Sequence, residues 1–315
     1  MTEKCNFSTF ALSLVLMIIL LSDLSAEPPE LSSFIDIHSS LTETSREPSV
    51  AYNCVRDEYL VVWWDDWGTD DSIFAQRIRS DGTPAGSKLT VDNFGGSHWQ
   101  PDVAYSPAQD KYLIVYTYDH GTGDYDLYGR GVAGDGTVGS PIGINLDSFR
   151  QYNPSVAYNS THDEFLVVYE NWADASGNTR DIEAVRVDAS TLSSPSSRNI
   201  ATGASEFRIA PDVAYDPSQD SYLIAYTYHC HSSMDGDIYA TLCSYDLSTV
   251  SSEITIINNI YEQNSVALAA ARNEYLVLWQ DGPNSGHRTI YARRVAGNGS
   301  LPDTAFRIDE VWGMV

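Results

Sequence analysis

One short phrase returns five times along the chain: Pro48-Ser-Val-Ala-Tyr52, Pro101-Asp-Val-Ala-Tyr105, Pro154-Ser-Val-Ala-Tyr158, Pro211-Asp-Val-Ala-Tyr215 and Asn264-Ser-Val-Ala-Leu268. After a polar turn each copy leads into a second apolar run, from Glu58-Tyr-Leu-Val-Val-Trp63 in the first to Glu274-Tyr-Leu-Val-Leu-Trp279 in the last. Copies start 53, 53, 57 and 53 residues apart. A unit of that length cannot bury its own apolar faces, so the copies must pack on one another and their period selects the fold.

Each unit divides into four strand-like pieces, in the first unit 49–52, 59–64, 73–79 and 88–92. A Gly-containing hairpin turn separates the last two pieces in three units: Ser80-Asp-Gly-Thr83, Gly134-Asp-Gly-Thr137 and Gly297-Asn-Gly-Ser300. Units three and four depart there, with Asp188-Ala-Ser-Thr191 and Tyr245-Asp-Leu-Ser248. The strands are apolar on both faces, as in Leu60-Val-Val-Trp-Trp64, which suits a sheet sandwiched between two neighbours. The pattern predicts an all-β fold, a five-bladed β-propeller of four-stranded antiparallel blades. The units start near 48, 101, 154, 211 and 264, within a single propeller domain over 27–315. Units two and four share Asp-Val-Ala-Tyr and units one and three share Ser-Val-Ala-Tyr, an alternation that suggests duplication of a two-unit element. Phe34-Ile-Asp-Ile37 and Phe306-Arg-Ile-Asp309 both read as a fourth strand, one more than a ring needs.

Residues 1–26 read as a signal peptide. Lys4 gives a weak basic start, residues 10–21 form an apolar run too short for a comfortable span, and Leu24-Ser-Ala26 offers a cleavage point. The expectation is a secreted, periplasmic or cell-surface protein with no membrane insertion after cleavage. Beyond Cys5 there remain Cys54, Cys230 and Cys243, an odd number without a disulfide framework. Net charge is −25, from 43 acidic and 18 basic side chains. Such a surface repels phosphate backbones and anionic lipid, which argues against nucleic acid and leaves neutral ligands, cationic partners and divalent cations. It also favours a soluble monomer.

The motif set also includes Asp237-Ile-Tyr-Ala240 and Ile290-Tyr-Ala-Arg-Arg-Val295. Together these resemble the secreted repeat propellers of prokaryotes whose units run Pro-Ser-Val-Ala-Tyr, Glu-Tyr-Leu-Val-Val-Trp, Asp-Ile-Tyr-Ala-Arg-Arg-Val and Asp-Gly. The resemblance covers about residues 34–310 and implies a propeller and export. It implies no catalytic residues, because the group shares no common activity.

Strand direction sorts the connections onto two rims. The turns after each first strand, such as Asn53-Cys-Val-Arg-Asp57 and Ser106-Pro-Ala-Gln-Asp110, are short and nearly uniform, so they read as structure. The opposite rim varies from unit to unit and is rich in acids and aromatics, which is where function is expected. Trp67, Trp99 and Trp172 with Asp66, Asp119 and Asp124 are candidates for glycan binding, since an indole stacks on a pyranose while carboxylates take its hydroxyls. Tyr152 is a further aromatic candidate on that rim, whereas Tyr118 and Tyr228 read as packing residues. Asp124 and Asp126 on a Gly-containing loop could hold Ca²⁺, and His229 with His231 could chelate a metal. Asp102 and Asp212, just inside the first strands, are candidates for a glycosidase pair. Arg46, Arg150 and Arg208 would be the clamp of a sialidase, although their offsets from the following Pro differ. Three functions follow: a module binding a glycan or a surface protein, a glycan-degrading hydrolase or lyase, and a scaffold without a small ligand. The first fits best, because the position of Asp102 and Asp212 is Ser in the other units, the arginine offsets differ, and the sialidase repeat Ser-x-Asp-x-Gly-x-Thr-Trp is absent.

Overall fold

The computed structural model describes residues 35, 37, 44–66, 71–121, 123–172, 177–194, 197–230, 236–282 and 288–308. The leader, Trp67 and His231 lie outside them. Every element is a strand. Unit one comprises β1 (Thr44–Asn53), β2 (Glu58–Asp66), β3 (Ser72–Arg79) and β4 (Leu89–Asp92), and unit two β5 (Ser97–Ser106), β6 (Lys111–Asp119), β7 (Tyr125–Ala133) and β8 (Val138–Asn145). Unit three comprises β9 (Gln151–Asn159), β10 (Glu164–Trp172), β11 (Arg180–Asp188) and β12 (Arg198–Ala201). In unit four these are β13 (Glu206–Asp216), β14 (Ser221–Cys230), β15 (Gly236–Ser244) and β16 (Ile254–Ile257). Unit five has β17 (Glu262–Ala271), β18 (Glu274–Gly282), β19 (Thr289–Ala296) and β20 (Phe306–Arg307).

Each unit is a four-stranded antiparallel meander of consecutive strands, as the repeat predicts. One parallel bridge, Arg180 to Phe207, joins units three and four into an eight-stranded sheet. Of the two candidate closing strands, the C-terminal one supplies β20. Ile35 and Ile37 are the described residues of the other, and neither is in a strand.

Packing follows from the two-sided apolar faces. Ala51, Leu60 and Val62 meet Val103, Tyr112 and Ile114 between units one and two. Three further clusters join units two and three, three and four, and four and five. Their members are almost wholly buried, and each fully buried Leu, Ile or Val contributes about 1.5–3 kcal/mol.

The recurring Tyr of the phrase has a specific task. Tyr52, Tyr105, Tyr158 and Tyr215 donate their hydroxyls to Asp57, Asp110, Asp163 and Asp220, the last residues of the lower turns, at 2.5–2.9 Å. Those aspartates sit at φ +45 to +58°, a left-handed conformation that Asp and Asn tolerate better than most residues. Asp110 also takes Arg56 at 2.7 Å, Asp163 takes Gln109 at 2.6 Å, and Asp220 contacts His162 at 3.0 Å. Each such aspartate ties its own turn to the unit before it.

Unit five departs from this scheme. Its first strand pairs Ala269 with Leu276, where unit one pairs Ala51 with Leu60. The counterpart of Pro48 is therefore Val266, two residues beyond the Asn264 that the letters suggest. Its lower turn is shortened to Arg272-Asn273, and Ala270 stands where the other units carry the Tyr. A slip of two residues keeps every side chain on its own face, so the core is unharmed.

Replacing Tyr105 with Phe removes one hydroxyl–carboxylate bond without changing volume. Urea unfolding of Tyr105→Phe should show a loss of about 1.5 kcal/mol; an unchanged midpoint would mean that the Tyr–Asp tie does not stabilise the turn.

Candidate functional site

The first strands β1, β5, β9, β13 and β17 lie side by side, and all five line one narrow cavity of about 40 Å³. Its wall includes Ser49, Asp102, Val156, Asp212 and Leu268. Five backbone residues set the approach to it: Glu47, Gln100, Asn153, Ala210 and Ser265 are all left-handed, at φ +47 to +56°, where each first strand bulges. The bulge turns the strand so that the following residue faces inward.

Asp102 and Asp212 thus meet in one cavity, as a catalytic pair would. Their bonding is that of structural ties. Asp102 accepts the Ser49 hydroxyl at 2.6 Å and the Val156 N–H at 2.8 Å, so it links units one, two and three. Asp212 accepts the Ser155 hydroxyl at 2.7 Å and the Leu268 N–H at 2.6 Å, linking units three, four and five. Burial raises both carboxyls above their ordinary range, Asp212 to about 6, with the Asp102 charge adding to the rise at Asp212. That value suits a general acid. The space does not suit a substrate, because small-molecule sites occupy roughly 300–1,000 Å³ and this one holds at most a few waters.

Above the cavity the rim of units two to four carries a continuous aromatic row. Trp99 on β5 lies 5.6 Å from Tyr125 on β7, which lies 5.0 Å from Tyr152 on β9, itself 5.7 Å from Trp172 at the end of β10. Arg150 lies over both Tyr125 and Trp172, at 5.0 and 4.8 Å, and Arg180 continues the row at 4.5 Å from Trp172 and 4.8 Å from Phe207. All of these side chains are half-buried. The row is held from beneath. Trp99 donates to Asp71 at 2.6 Å, and Arg150 donates to the Gly123 carbonyl at 2.8 Å. Buried Glu170 takes Trp172, Arg180 and Asn153 at 3.0–3.2 Å, and its burial raises its carboxyl.

The remaining candidates fall apart from this row. Asp66 closes β2 beside Arg46, at 3.5 Å, and Asp119 accepts the Gly121 N–H in a local turn. Asp126 is buried and bonded to His120 at 2.6 Å; burial raises its carboxyl and the His120 bond opposes that rise. Asp124 lies beside it in sequence, and its charge also raises the Asp126 carboxyl. His229, next to last in β14, pairs with Phe207, and its proposed partner His231 is outside the described residues. Among the described residues no group of three His, Cys, Asp or Glu side chains is placed to hold a metal ion. The clamp arginines hold separate partners: Arg46 holds Asp66, Arg150 stacks in the row, and buried Arg208 donates to Glu253 at 2.7 Å. Tyr118 stacks on His98 at 4.6 Å and Tyr228 donates to Glu206 at 2.9 Å, both as packing residues. Tyr125 is the member of the row that the sequence did not single out.

No protein-family model matches the chain, and no curated protein does either. Solved structures do. A protein of unknown function from Dyadobacter fermentans aligns with TM-score 0.67 at 11% identity, covering 86% of this chain and 84% of its own. A Hadza microbial sialidase aligns at 0.59 and 12%, covering 84% of this chain and 59% of its own. An endo-arabinase from Bacteroides thetaiotaomicron aligns at 0.52 and 10%, covering 78% and 92%. At these identities the likeness is one of fold: a β-propeller-like arrangement of four-stranded sheets.

The raised Asp212 carboxyl carries a sign. A group whose folded pKa lies near 6, against 3.8 unfolded, stabilises the fold fully below about pH 4 and loses that contribution as pH rises through 6. Asp212→Asn cannot titrate. The stability difference, wild type minus Asp212→Asn, should therefore fall by up to about 3 kcal/mol between pH 4 and 7, read by urea unfolding; parallel curves would show an ordinary carboxyl at this position.

Proposed function

We propose that the five meanders close into a five-bladed ring, exported by the leader-like segment, and that it binds neutral carbohydrate on the aromatic rim of units two to four. The ring is supported by the single cavity to which all five first strands contribute. The binding reading rests on one observation, the unbroken row Trp99–Tyr125–Tyr152–Trp172, in which neighbouring ring centres stand 5.0–5.7 Å apart. Half-exposed aromatic faces in a row offer apolar surface to successive sugar rings, and their tethered partners leave little side-chain entropy to lose on binding. Arg150 brings N–H donors between two of the rings. A net charge of −25 favours neutral over anionic glycans.

A hydrolase is the second reading, and Asp212 near pH 6 opposite Asp102 is the observation in its favour. Against it stand the narrowness of the cavity and the commitment of both carboxylates to neighbouring strands. The carbohydrate-active names among the solved structures agree with either reading.

A glycan array followed by titration calorimetry separates the two. Wild type should retain a neutral oligosaccharide without cleaving it, and Tyr125→Ala should weaken that binding at least tenfold, about 1.4 kcal/mol, while melting normally. Equal binding by the variant would remove the rim from the site. Cleavage that Asp212→Asn abolishes would establish the hydrolase instead.

A further inference from the structure

The spaces between units repeat as the units do, and each is closed differently near the upper rim. The column that begins with Trp63 continues as Tyr116, Tyr169, Tyr226 and Trp279. Beside Tyr116, Arg130 and the Tyr116 hydroxyl converge on Asp92 of unit one. Beside Tyr169, Glu183 and Asn145 fill the space, and beside Tyr226 it is Arg208 on Glu253. In unit one a lysine does it: Lys88 Nζ stands 3.9 Å over the Phe74 ring and 3.8 Å from Asp65. Asp65 in turn accepts the Trp63 indole N–H at 2.9 Å.

Unit five repeats the carboxylate and aromatic groups of the unit-one set but lacks the lysine. Trp279 replaces Trp63, Asp281 replaces Asp65, and Tyr291 replaces Phe74, each in the same pairing register. Phe306 pairs with Ala292 as Leu89 pairs with Ala75, so Ala305 stands in the place of Lys88. Where the lysine chain would lie there is a cavity of about 310 Å³, lined by Trp279, Asp281, Tyr291, Ala305, Asn259 and Tyr261 among others. The Trp279 indole N–H has no acceptor among the described residues, unlike that of Trp63. Asp281 is buried and takes Asn259 at 3.1 Å. Two nearby guanidinium groups are already engaged, Arg293 by the carbonyls of Ile256 and Asp303 and Arg288 by Glu262.

We propose that this cavity binds a compact organic ammonium, an amino sugar or a small primary amine, whose charge takes the place of the Lys88 ammonium between Asp281 and the Tyr291 ring. Lys88 is the built-in template: the chain itself shows what such a carboxylate–aromatic corner accepts. A carboxylate and an aromatic face together favour a cation over a neutral group, and the charge of −25 attracts one from a distance. The cavity reaches the lower end of small-molecule sites, enough for one sugar ring. The site shares no residue with the aromatic row and does not depend on carbohydrate binding there.

Calorimetry on the full chain at low salt, below the amine's pKa, tests this with D-glucosamine, D-glucose, N-acetyl-D-glucosamine and cyclohexylamine. Glucosamine should bind at least tenfold more tightly than glucose or the N-acetylated sugar, and Asp281→Asn should lose at least tenfold. Ala305→Lys should abolish binding and raise Tm, because the introduced ammonium occupies the corner as Lys88 does in unit one. Cyclohexylamine binding as well as glucosamine would identify the ammonium alone as the determinant, and weaker binding would add the hydroxyls. No binding of either amine, equal binding of glucose, or full glucosamine affinity in Asp281→Asn would overturn the proposal.

Discussion

Two carboxylates hold the first strands together. Asp102 accepts from the strands on either side of it, Asp212 does the same, and unit three is common to both, so Ser49, Asp102, Val156, Ser155, Asp212 and Leu268 form one chain of bonds across five strands. The arrangement requires acceptors and donors to alternate, which gives a physical reason for the Asp of units two and four beside the Ser of units one and three. Burying two carboxylates within reach of each other's charge is costly, as the raised Asp212 carboxyl shows. The donors offset part of that cost, and the narrow channel follows from strands drawn this close.

Around that axis the apolar faces are nearly interchangeable and the polar groups above them are not. His98, Gln151, Arg208 and Gln263 occupy one repeated, buried position, yet His98 meets the Asp71 carbonyl, Arg208 holds Glu253, and the two glutamines each donate to the carbonyl two residues before them. Buried polar groups must be satisfied wherever they sit, and a set that is closed in one space is not transferable to the next. Variety between the units therefore begins just beneath the rim.

The strands and their grouping were legible because two-sided apolar runs and Gly turns act locally. The register of unit five was not. Asn264-Ser-Val-Ala imitates the phrase two residues early, and a shift of two leaves the alternation of faces unchanged, so hydrophobic pattern is silent about it. The missing Tyr and the Ala-rich stretch 269–271 were the available signals. Asp102 and Asp212 could be placed in one channel from their position in the repeat, but whether they react or tie depends on which N–H groups face them, which is a matter of tertiary geometry. The row on the rim was visible in Trp99 and Trp172, while Tyr125 joins it only because β7 begins beside β9. The corner at Trp279 could have been found by reading the units column by column, where Lys88 gives way to Ala305.

Alternation also has a parity. Acceptors at positions two and four satisfy donors at one, three and five, and the series is then used up. Carried round a ring of five, it would bring Ala267 next to Ser49, with no carboxylate at that junction. The bonded axis is thus an open chain with two ends, and a closed ring would have to hold one joint by something other than this device. In such a ring, that joint would lack the carboxylate tie that holds every other pair of neighbouring first strands.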